Sequence, residues 1–104
     1  MQTPSNARRL LVLHESDNVG TALADLAAGS LVEFGPGRSL RLLEAIPFGH
    51  KAALEPIPAG GAVVKYGHPI GAATRPIEAG RHVHVHNVES VQGRGHLRAE
   101  PKSV

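Results

Sequence analysis

Proline and glycine interrupt this chain so often that no helix of ordinary length fits between them. Twelve glycines and eight prolines stand well above the average combined usage of about 12%, and they recur at turn-like intervals instead of clustering. Pro47, Pro56, Pro58, Pro69 and Pro76 each lack a backbone donor and clash with a preceding helical turn, so they break every longer stretch. What survives such punctuation is short strands joined by turns. Three segments share one turn pattern: Leu26-Ala27-Ala28-Gly29, Ile57-Pro58-Ala59-Gly60 and Ile77-Glu78-Ala79-Gly80. In each, an apolar anchor enters the core, glycine supplies a positive φ, and the residues that follow run out as a strand. Their spacings of 31 and 20 residues are unequal, which describes a turn device recurring within one domain and not a solenoid period.

The apolar patterning predicts strands at 10–14, 19–23, 31–34, 40–45, 50–54, 63–66, 70–74 and 82–86. The segment 19–26 also fits a short helix capped by Asp17 or Asn18. Phe34-Gly35-Pro36-Gly37 reads as the loop of a hairpin, and Lys65-Tyr66-Gly67 with Ile70-Gly71 as a strand, a turn and a return strand. The expected fold is therefore all-β, mainly antiparallel, with at most short helical turns. Polar ends without apolar periodicity, 1–9 and 91–104, read as tails around a single domain at 10–90.

Composition removes several functions. With 3% aromatic residues, one Tyr, two Phe and no Trp, there is no material for a base-stacking surface, and a net charge of +2 argues for no nucleic-acid partner. No apolar run approaches the roughly 18 residues of a membrane span, and the segment after Arg8-Arg9 is cut short by His14, Glu15 and Asp17, so neither a membrane partner nor a signal peptide is expected. The absence of cysteine excludes disulfides, thiolate metal sites and a thiol nucleophile, and is compatible with the cytoplasm. Nor is there a nucleophile elbow, a phosphate-binding loop or a dinucleotide fingerprint.

Histidine is where the chemistry concentrates. In Arg81-His82-Val83-His84-Val85-His86-Asn87, strand geometry would send His82, His84 and His86 to one face and both valines to the other, toward the core. Same-face neighbours about 6.5 to 7 Å apart can share one divalent ion about 2 Å from each ring nitrogen. His82 and His84 are the first ligand pair, with His86 and His14 next. A face of this kind could also contact an anionic substrate, form an interface, or simply be a polar strand surface. Gly49-His50-Lys51 combines a ring able to move a proton with an ammonium able to hold a carboxylate, so His50, Lys51 and His86 are the candidates for acid–base work. Asp17, Asn18, Lys51 and Asn87 are candidates for substrate contact, although Asx residues after a strand also serve plain turn hydrogen bonds.

Asp17-Asn18-Val19-Gly20-Thr21-Ala22-Leu23, Gly49-His50-Lys51, Lys65-Tyr66-Gly67 with Ile70-Gly71, and His82 to Asn87 resemble, in order and spacing, the N-terminal SAF domain of altronate dehydratases, a β-clip module. The same module is a separate small subunit in altronate dehydratase-like and sulfolactate sulfo-lyase-like enzymes. The resemblance implies a small subunit of a cytoplasmic lyase that removes water or sulfite from a sugar acid or related hydroxy acid, inactive alone and completed by a large catalytic subunit. It also implies a divalent metal, iron or manganese, with zinc admissible on the donor set. SAF modules in sialic acid synthases and in flagellar or pilus assembly proteins keep a second expectation open, a stand-alone carbohydrate or hydroxy-acid binding module. A homo-oligomer is compatible with either.

Overall fold

The structure, a computed structural model, describes residues 9–90; of the tails expected at 1–9 and 91–104, all but Arg9 lies outside them. The described residues form nine strands and no helix: β1 Leu10–Leu11, β2 Val19–Ala22, β3 Leu31–Gly35, β4 Arg38–Arg41, β5 Lys51–Ala53, β6 Ala62–Lys65, β7 His68–Ala73, β8 His82–Val83 and β9 Val88–Ser90. The all-β expectation holds, and the helical alternative at 19–26 resolves as strand β2 followed by turns. Among the described residues no helix is long and apolar enough to cross a membrane.

All pairings are antiparallel. A four-stranded sheet in the order β1-β2-β5-β8 forms a central wall, flanked by the β3-β4 hairpin and by a three-stranded sheet β6-β7-β9. Adjacent residues of a strand face opposite ways, and the wall uses this to separate two cores. Ala52 packs with Leu10, Ala22, Leu26, Leu42 and Ile46 on one side, while Ala53 packs with Val19, Ile57, Val63, Ile77 and Val83 on the other. A strand buried on both faces loses the alternation that marks a half-exposed one, which explains the small, continuous Ala52-Ala53 run in β5.

The two cores repeat one plan. Ala22, Leu26, Val32, Leu42, Ile46 and Ala52 of the first recur 31 residues later as Ala53, Ile57, Val63, Ala73, Ile77 and Val83 of the second. Backbone bonds repeat with them: Gly29 N donates to Leu42 O and Gly60 N to Ala73 O, both at 2.8 Å. The turn device occurs a fourth time, at Ile46-Pro47-Phe48-Gly49, with Gly49 at φ 83°. Its anchors meet in pairs, Leu26 with Ile46 and Ile57 with Ile77. Spacings of 31 and 20 thus describe two tandem half-domains, each carrying two turns.

Both hairpin turns fall where expected. Pro36-Gly37 links β3 to β4 and Tyr66-Gly67 links β6 to β7. Tyr66 at φ 55° and Gly67 at φ 80° place both central residues in the left-handed region, the type I′ arrangement that matches strand twist.

Four details differ from the sequence expectation. The strand expected at 40–45 ends at Arg41. The first strand stops at Leu11 because the Asp17 carboxylate gathers the backbone N–H groups of Leu13 and His14 into a loop. The segment 82–86 is a strand only at His82–Val83 and then turns, so Val83 is buried as expected but Val85 is 82% exposed instead of facing the core. Strand β9, absent from the expectation, follows that turn and closes onto β7.

Candidate functional site

Three histidines converge at the end of the central wall. His50 leads into β5, His82 belongs to β8, and register Ala52↔His82 brings these strands together across 32 residues of chain. His50 Nδ1 and His82 Nε2 are 2.8 Å apart, a contact that requires one nitrogen to donate a proton and the other to accept it. The His84 ring stacks on His50 at a centroid distance of 4.2 Å and 16° between planes, and His82 lies 5.5 Å from His84 at 10°. His86 tilts against His82 at 5.3 Å and 41°. One nitrogen from each of His50, His82 and His84 lies within 4.8 Å of the others.

A tight turn, and not strand alternation, brings His84 into this group. Asn87 is 5% exposed. Its Oδ1 accepts from His84 N at 3.0 Å and its Nδ2 donates to His82 O at 2.9 Å, while Asn87 N donates to His84 O at 3.1 Å. Asn87, read as a substrate contact, therefore spends its amide on the backbone of the histidine turn. Glu44 supports the other end, accepting from His82 N at 2.9 Å.

Two of the rings are made harder to protonate. Burial, and then the facing His50, His86 and His84, push His82 below the ordinary imidazole range, against an opposing pull from Glu44. Burial and then His50, Lys51 and His86 do the same to His84. An imidazole that resists protonation keeps its lone pair available, as a metal ligand or general base requires. Lys51, half-buried beside them, is likewise lowered by burial and by Lys65.

The donor set fits a divalent ion. Three imidazoles with no thiolate and no carboxylate in the triad suit iron, manganese or zinc, and three protein ligands leave positions open for substrate. Of the residues named from sequence, His82 and His84 lie in the triad. His50, assigned to acid–base work, lies in it too, and His86 stands at its edge.

The remaining candidates sit elsewhere. His14 is exposed, its Nδ1 bonded to Ser16 Oγ at 2.8 Å, and it lines a separate hollow of about 250 Å3 with Phe34 and Arg38. Asp17 is 6% exposed and accepts from Leu13 N, His14 N and Gly67 N at 3.1, 3.2 and 2.7 Å. Burial alone would raise its pKa, but the backbone donors outweigh it and hold the carboxyl below its ordinary value. Asn18 clasps β6, donating to Ala62 O and accepting from Val64 N, both at 2.8 Å. Glu44 and Arg75 went unnoticed in the sequence; they line a hollow of about 280 Å3 with Arg81, His86 and Asn87.

Comparison with known proteins agrees with this architecture. The family model described as the altronate/galactarate dehydratase SAF domain matches residues 8–91. Altronate dehydratase of Escherichia coli strain K12 is 46% identical over 78 residues, 75% of this chain and 16% of that protein. Altronate dehydratase of Bacillus subtilis strain 168 is 39% identical over 83 residues, 80% of this chain and again 16% of the relative. The chain thus spans about a sixth of those enzymes. It covers far more of the (2R)-sulfolactate sulfo-lyase subunit alpha of Chromohalobacter salexigens, with 30% identity over 86 residues, 76% of this chain and 92% of that subunit.

Proposed function

This chain belongs to the altronate/galactarate dehydratase SAF-domain family, and on that premise we propose that it is the SAF subunit of a lyase acting on a hydroxy acid, completed by a separate large catalytic subunit. The near full-length match to a sulfo-lyase alpha subunit supports the separate-subunit reading. The observation that carries the chemical part is the convergence of His50, His82 and His84 next to Lys51.

β-Elimination from a hydroxy acid takes the proton α to the carboxylate and expels water or sulfite from the neighbouring carbon, leaving an enol that becomes a 2-oxo acid. In this reading His50, His82 and His84 hold a divalent ion, His14 having no place in the set. When bound, such an ion supplies Lewis-acid stabilisation of charge developing on substrate oxygens. Lys51 holds the carboxylate. His86, exposed at the edge of the cluster, is placed to pass a proton between solvent and the site. Asp17, Asn18 and Asn87 act indirectly, by fixing the loops that carry these groups.

The test is reconstitution. The chain is mixed with the large lyase polypeptide from the same source, co-elution is followed, and 2-oxo acid is measured from altronate, galactarate and sulfolactate. The reading expects a stable complex whose turnover depends on this chain and drops at least a hundredfold in His50→Ala, the scale of one general acid–base or electrostatic group. A large polypeptide that turns over equally well without the chain would overturn it.

A further inference from the structure

We propose that Lys51, Lys65, Thr21 and Tyr66 form a subsite for the carboxylate of the hydroxy acid. The inference rests on the lyase reading and extends it, because Lys65, Thr21 and Tyr66 have no role there.

Thr21 and Lys51 are directly paired across β2 and β5, and cross-strand partners project from the same face. The Tyr66 hydroxyl lies 3.3 Å from Thr21 Oγ1, and Lys65 Nζ sits 4.9 Å from the centre of the Tyr66 ring. Two ammonium groups and two hydroxyls thereby belong to residues that neighbour one another in series, Lys51, Thr21, Tyr66 and Lys65. Both lysines are half-buried, and neither makes an ion pair among the described residues. Like charges brought together in partial burial are unfavourable, and a carboxylate between them would relieve that repulsion through charge-assisted hydrogen bonds.

The backbone supplies an independent sign. Tyr66 occupies φ 55°, the one non-glycine residue at positive φ among those described, in a turn position that Asn, Asp or Gly fills more comfortably. Strained residues of this kind persist where a side chain is needed in place. Here the strain delivers the phenol hydroxyl to Thr21, next to Lys51. Lys51 also connects the subsite to the triad, since it follows His50 directly in the chain. A substrate gripped by its acid group at Lys51 and Lys65 would then extend toward the histidines.

The experiment titrates the full chain, free of metal and large subunit, with D-gluconate and with D-sorbitol, which shares its hydroxyls but lacks the carboxylate, and reads backbone amide shifts by NMR. Expected are saturable shifts at Thr21, Lys51, Lys65 and Tyr66 with gluconate and none with sorbitol. Lys65→Gln should weaken binding roughly tenfold and Tyr66→Phe less, in line with loss of a charged and a neutral hydrogen bond, with dispersed spectra showing that both variants fold. Equal shifts from sorbitol, unaltered affinity in Lys65→Gln, or shifts confined to Arg75 and Arg81 would overturn the subsite. Because neither metal nor partner is present, failure here leaves the reconstitution result standing, and the reverse also holds.

Discussion

Replacing Asn87 with alanine should both destabilise the domain and disperse the histidines. Two side-chain hydrogen bonds to backbone, at 3.0 and 2.9 Å from a residue 5% exposed, disappear together. Each is worth about 1 kcal/mol net, and a buried backbone group left without a partner costs about 1–3 kcal/mol. Some relief comes from water entering beside half-buried His84, so the loss should be about 2–4 kcal/mol. For a domain of this size each kcal/mol moves the midpoint by about 4–8 °C, which puts the expected fall in Tm at roughly 8–32 °C. Thermal unfolding followed by circular dichroism measures it, and NMR of the imidazole protons reports whether His84 still stacks on His50. A variant within about 0.5 kcal/mol of the parent, as for an ordinary surface change, would refute the claim that this amide builds the histidine turn.

Other outcomes follow from the same geometry. Asp17 has a folded pKa below its ordinary 3.8, so it adds stability that is complete above the unfolded value and disappears as pH falls through the lower folded one; urea unfolding of Asp17→Asn should show a shallower acid dependence between about pH 5 and 2. The depressed His82 and His84 act with the same sign at higher pH: the unfolded chain takes up protons first, so stability should decline as pH drops through about 6.5, and the decline should shrink in His82→Ala/His84→Ala. Gly80→Ala should cost more than Gly37→Ala. Both sit at positive φ, where a Cβ costs about 1–2 kcal/mol, but a Cβ at Gly80 also meets the Arg41 carbonyl whereas the space at Gly37 is open; paired Tm values decide it.

Local features were readable in the sequence because short-range sterics set them. Ala-Gly turns at 29, 60 and 80, the Pro36-Gly37 and Tyr66-Gly67 hairpins, and the exclusion of helices by proline all depend on the residue and its neighbours. The fourth turn escaped notice because Phe48 stands where the other copies have alanine, and that hid the duplication. The His-x-His-x-His run pointed to the right residues for an incomplete reason. Alternation implies a strand, yet Asn87 three positions after His84 offers its backbone a competing partner, and the turn prevails. His50 joins the triad through pairing across 32 residues, which no local pattern encodes. For Asp17 and Asn18 the choice between turn bond and site was open in sequence, because it depends on the distant Gly67 and Val64.

The central claim is that His50, His82 and His84 form a divalent-ion site. Isothermal titration of the full chain with Mn2+ and Zn2+ at neutral pH, beside the His82→Ala/His84→Ala variant, tests it most directly. The account predicts one ion per chain for the parent, affinity falling as pH drops through the imidazole range, and no saturable heat from the variant. Equal heats from both proteins, or none from either, would contradict it.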